Sequence, residues 1–107
     1  MNQPRRMGPA IQAEVTATYN GLPHGRITEH HGAAHVFTAG LPDLELWFMA
    51  LGGRITYQPA GTGVVLYTLH ALAERTHGTP VEVHALALDT DQIDADCANA
   101  VTNLPAA

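Results

Sequence analysis

The chain has no lysine, no serine and a single cysteine, and its charges are sparse: five arginines and ten acidic residues among 107. Each shortage excludes something. Without serine there is no Ser–His–acid hydrolase. Cys97 alone makes no intramolecular disulfide and favours a reducing, cytoplasmic setting. With five cationic side chains and a net charge of −5, the surface offers no basic stripe for a phosphate backbone, so nucleic acid is not an expected partner. No apolar run approaches the roughly 18 residues of a membrane helix, and the first residues lack the apolar stretch of a signal peptide, so no membrane association is expected.

What is present is apolar but small. Hydrophobic residues make up 46% of the chain, yet seventeen of them are alanine, so large side chains concentrate in a few segments. The densest is Ala33–Leu51, which holds the only tryptophan and both phenylalanines and is the predicted core. At this length one modest core is possible, not two. The domain is predicted over residues 11–103, between a flexible tail at 1–10 and a frayed end at 104–107.

Alternation of Ile11, Ala13, Val15, Ala17 and Tyr19 with polar neighbours predicts a strand, followed by a turn at Asn20-Gly21. Gly25–His31 and Ala34–Leu41 read as two further strands about His31-Gly32. Leu44–Leu51 is nearly continuous in apolar character, as in a strand covered on both faces, and Gly52-Gly53 ends it. Arg54–Gln58 is a short strand and Pro59–Gly63 a loop. The spacing of Val65, Leu69 and Leu72 predicts a helix over Val64–His77, closed by Gly78 and Pro80. Val81–Leu88 returns as a strand, and a last helix runs from about Asp91 to Asn103, capped by Asp89–Asp91. The fold class that follows is α+β: a single domain with a mainly antiparallel sheet of about five strands and two helices packed on one face.

At Phe37-Thr38-Ala39-Gly40-Leu41, followed by Asp43-Leu44-Glu45-Leu46, the chain resembles a bacterial and phage family known only as a domain of unknown function. Its members carry Tyr-Thr-x-Gly-Leu and then Pro-Glu-Leu before a hydrophobic strand; Phe37 and Leu44 depart from that pattern. The resemblance implies a compact α+β domain and no catalytic residues. Physically, Thr38 can bond across to a neighbouring strand, and Gly40 permits a bulge or a close backbone approach.

Candidate chemistry is thin. His24, His30, His31 and His35 form the one cluster that invites a metal, with Glu29 on the side of His31 and His30 expected to point to the opposite face. His24, His31, His35 and Glu29 are therefore the candidate ligands, although their spacing matches no familiar zinc pattern. The acidic run Asp89, Asp91, Asp94 and Asp96 fails the EF-hand pattern and reads as helix capping. Gly61-Thr62-Gly63 ahead of a helix is a weak anion loop, and Cys97 is small core filling rather than a nucleophile. Seven histidines would carry the formal charge from −5 to +2 on full protonation.

The expected function is that of a small non-enzymatic accessory or regulatory protein with no catalytic residues and no cofactor. In the phage-encoded version it works in the host cytoplasm. Its partner is another protein or a second copy, met through the consecutive Trp47, Phe48 and Met49. The alternative is a metal-dependent or histidine-based enzyme on the His24–His35 cluster.

Overall fold

Two helices cover one face of a six-stranded mixed sheet in the computed structural model of the chain, which describes residues 8–103 and, for residues 102 and 103, the backbone alone. The strands are β1 (Ile27–His30), β2 (Ala33–Phe37), β3 (Gly53–Gly61), β4 (Val64–Ala71), β5 (Val81–Leu88) and β6 (Val101–Asn103). The helices are α1 (Pro9–Asn20), α2 (Leu41–Leu51) and the single turn α3 (Ala95–Ala98). Across the sheet the order is β1-β2-β5-β4-β3-β6. The β2–β5 and β3–β6 pairs are parallel and the other three antiparallel. This is the expected α+β class with a mostly antiparallel sheet.

The elements differ from the sequence reading at several places: residues 59–61, read as loop, extend β3, residues 9–10 of the predicted tail open α1, and four whole elements change type or length. Residues 11–19 form most of α1, not a strand. Their alternation is also two interleaved stripes of period four: Ala13 and Ala17 are buried, while Ile11, Val15 and Tyr19 face outward. Pro9 fits the first helical turn, where its missing N–H costs nothing, and Gly21 closes the helix at φ 64°. Residues 44–51 belong to α2. Leu41, Leu44, Trp47 and Leu51 recur at steps of three, three and four and form its buried face.

Residues 64–71 are β4, not a helix. Gly61 pairs with Val64, so Thr62-Gly63 is the tip of a hairpin, and Gly63 at φ 71° supplies the positive φ that tip needs. A 3-10 turn at Ala73–Arg75 follows. The predicted last helix shrinks to α3, whose Asp94 side chain accepts from the Asp96 N–H at 2.8 Å. The chain then pairs with β3, Val101 opposite Ile55. A further difference is small: the predicted strand 34–41 ends at Phe37, because Thr38 turns and donates both its N–H and its Oγ1–H to the His84 carbonyl. Of the predicted tail, residues 1–7 lie outside the described residues, as does the frayed end at 104–107.

The core forms between the helices and the inward-facing positions of the sheet: Ala34 and Val36, Val81, Val83 and Ala85, Leu69 and Ile55. Trp47 is its largest side chain and is fully buried, its Nε1–H donating to the Pro23 carbonyl at 2.8 Å. Alanines on α1 let that helix lie close against β1 and β2. Among the described residues no helix is long and apolar enough to cross a membrane.

Candidate functional site

Because side chains alternate along a strand, covering one face of the sheet leaves a second set of positions on the other. The register arranges that set in rows. His35 of β2 stands beside Glu82 of β5, His70 of β4 and Arg54 of β3. The next row is Phe37, His84, Thr68 and Thr56. Beyond it come Leu86 with Leu66, and Leu88 with Val64. The helix-free face is therefore polar and histidine-rich at one end and apolar at the other. A shallow groove of about 330 Å³ runs over its polar half, lined by Arg54, Thr56, Thr68, His70, Glu82 and His84.

The polar half is tightly bonded. His84 Nδ1 hydrogen-bonds with Thr68 Oγ1 at 3.0 Å, and His84 Nε2 with His35 Nδ1 at 2.9 Å. His70 Nε2 hydrogen-bonds with Thr56 Oγ1 at 3.0 Å. Both threonines are buried, covered by the imidazoles they hold. The planes of His35 and His84 are 11° apart with centroids 5.2 Å apart. That centroid separation is the nitrogen–nitrogen distance plus two ring radii, so the rings meet edge to edge in a line rather than face to face. Glu82 Oε1 lies 4.0 Å from His35 Nδ1.

Burial pushes the His84 pKa below its ordinary 6.5, and the neighbouring His35 adds to this while the Glu82 carboxylate opposes it. Burial also lowers His70, with the Arg54 guanidinium acting in the same sense and Glu82 against. Both rings are therefore held toward the neutral form, with lone pairs available.

The predicted metal cluster does not assemble as a unit. His24 is exposed and its Nδ1 sits 3.3 Å from the Leu22 carbonyl. Glu29 lies on the helix side, accepting the Ala10 N–H at 3.1 Å. His31 occupies the β1–β2 turn at φ 50°, its ring 3.9 Å from that of His30. It is His30, not Glu29, that shares a face with His35, at 6.2 Å between ring centroids. The ligand atoms of His35, Glu82 and His84 lie within 4.8 Å of one another, the one such group of three among the described residues. Glu82 and His84 were legible as same-face residues of a strand. Their meeting with His35 depends on the parallel β2–β5 pairing, which no local pattern announces.

Of the predicted contact residues, Trp47 is interior, Phe48 packs partly against the core and Met49 is exposed. Thr38 braces β5, and Glu45 accepts the Asp94 N–H, tying α2 to the start of α3. The Gly61–Gly63 segment is a hairpin tip and precedes no helix. Cys97 is buried, and burial, with the Glu45, Asp94 and Asp96 carboxylates adding, raises its thiol pKa, which removes thiolate character. Asp91 accepts the Leu88 N–H at 2.9 Å, a turn role. Comparison with known protein families, with curated proteins and with solved structures finds no match for this chain.

Proposed function

We propose that this is a non-catalytic accessory or regulatory protein that associates with a second copy of itself through the helix-free face of its sheet. The observation that carries the reading is the apolar half of that face. Leu86 and Leu88 are each 58% exposed and Phe37 is 43% exposed, with Leu66 and Val64 half-buried between them. Contiguous exposed apolar side chains on an ordered sheet are the surface a partner covers.

Charge favours a second copy as that partner. The strand residues of this face carry two formal charges, on Arg54 and Glu82, and these cancel. Two copies approaching face to face bring neutral surfaces together and keep the acidic groups behind the −5 of each chain away from the contact. A two-fold arrangement sets one patch against itself and needs no other complement. The competing surface is the outward stripe of α1, Ile11, Val15 and Tyr19.

Sedimentation velocity over a concentration series, in EDTA, tests this. A dimer is expected, with Leu86→Glu and Leu88→Glu shifting it to monomer and Val15→Glu leaving it intact. A monomer at every concentration, or a dimer broken by Val15→Glu and not by Leu86→Glu, would overturn it.

A further inference from the structure

We propose that His35 Nδ1, His84 Nε2 and a Glu82 carboxylate oxygen form a binding site for a borderline divalent cation of the Zn²⁺ class, with Thr68 as its positioning residue. Two imidazoles and one carboxylate are a donor set that suits zinc and its neighbours rather than Mg²⁺ or Ca²⁺, which take oxygen ligands. The three residues come from adjacent strands of a sheet, so their Cα positions are held by the ladder rather than by a loop.

The distances bracket what a metal needs. Tetrahedral ligands at 2.0–2.1 Å from an ion stand about 3.3 Å apart. Here the two ring nitrogens are 2.9 Å apart, and the carboxylate oxygen is 4.0 Å from His35 Nδ1. Opening the first gap by a few tenths of an ångström and tilting both rings toward Glu82 brings the three donors onto one point. The side chains of His35 and Glu82 are 19% and 33% exposed, so they have room to make that adjustment.

Thr68 supplies the support that metal-ligating histidines need. Its Oγ1 lies 3.0 Å from His84 Nδ1, and in the tautomer that carries its proton on Nδ1 the ring donates to this hydroxyl and turns its Nε2 lone pair toward His35 and Glu82. Burial of Thr68 keeps the hydroxyl in place. Three protein ligands leave a fourth position, and two further imidazoles share this face: His30, 6.2 Å from His35 between centroids, and His70, opposite Glu82 in the register.

The site lies in the polar half of the face proposed for self-association, and testing self-association in EDTA keeps the two outcomes distinct. Titration of the untagged full chain with Zn²⁺ by calorimetry, with elemental analysis after dialysis, should find one equivalent bound per chain. Co²⁺ should give the intense visible bands of a four-coordinate site. His35→Ala and His84→Ala should each abolish stoichiometric binding, and Thr68→Val should weaken it by about 10- to 100-fold. His24→Ala should bind as the parent does. Thermal melts of each variant in EDTA identify any that fail to fold, and Glu82→Gln, at a half-buried position, then serves as the ligand-removing variant. Absence of stoichiometric Zn²⁺ in the parent chain, or unchanged affinity in a folded His35→Ala or Glu82→Gln variant, would overturn the proposal.

Discussion

His35 Nδ1 and His84 Nε2 face each other at 2.9 Å across the parallel β2–β5 pair, 49 residues apart in the chain, with their ring planes nearly coincident. Thr68 fixes the far nitrogen of His84, so hydroxyl, imidazole and imidazole form a chain across three strands. A parallel arrangement exists on the same face between Thr56 and His70.

These bonds make stability depend on pH in a defined direction. Folding lowers the pKa of His84, through burial and then His35, and of His70, through burial and then Arg54. The unfolded chain therefore binds protons that the folded chain refuses. Stability is complete above the unfolded value of about 6.5 and declines as the pH falls through it toward the folded values. Urea midpoints at pH 7.5 and 5.5 should differ, with the lower midpoint at pH 5.5. The His70→Gln, His84→Gln double variant should narrow that difference, and an unchanged difference would show that other groups carry it.

Trp47 should dominate the core energetically. Trp47→Ala is expected to cost about 3–5 kcal/mol through the cavity it leaves. Trp47→Phe should cost less, about 1–2 kcal/mol, mainly by leaving the Pro23 carbonyl without its donor. Equilibrium denaturation separates the two; because both variants lose the Nε1–H donor, equal costs would deny the cavity a role.

Gly53 begins β3 at φ 122°, where an added Cβ would lie 2.1 Å from the His70 carbonyl oxygen. Gly53→Ala should therefore destabilise by about 2–4 kcal/mol, from an unfavourable backbone conformation and a clash with main chain that cannot swing aside. Because the displaced strand carries His70, the substitution should also shift the histidine ring signals in NMR spectra.

On α1, Ala17→Leu should destabilise by about 1–3 kcal/mol because it wedges the helix off the sheet. Val15→Leu, on the outward stripe, should stay within about 0.5 kcal/mol. Were α1 a strand, both residues would lie on one face and respond alike.

That contrast shows where local pattern misleads. Ile11, Ala13, Val15, Ala17 and Tyr19 satisfy period two and period four together. The deciding fact is that the alanines, not the large residues, face the core. In α2 the helical stripe from Leu41 to Leu51 was present but obscured by Leu46, Phe48 and Met49, which fill the gaps between its members. In β4, Val65, Leu69 and Leu72 mimic helical spacing by chance, while the hairpin at Thr62-Gly63 carried the stronger signal. The β1, β2 and β5 strands and the turn at His31-Gly32 were legible because β-branched residues and turn chemistry agree there. The His35–Glu82–His84 group was half legible: alternation pairs Glu82 with His84, and the sheet order adds His35.

The cancelling charges of the helix-free face have a consequence for ionic strength. Added salt has little net repulsion to screen between two such faces, yet it relieves the mutual repulsion of the acidic remainder of each chain. Dimers held in this way should tighten, not loosen, as sodium chloride is raised from low to physiological concentration, the opposite of an assembly joined by ion pairs.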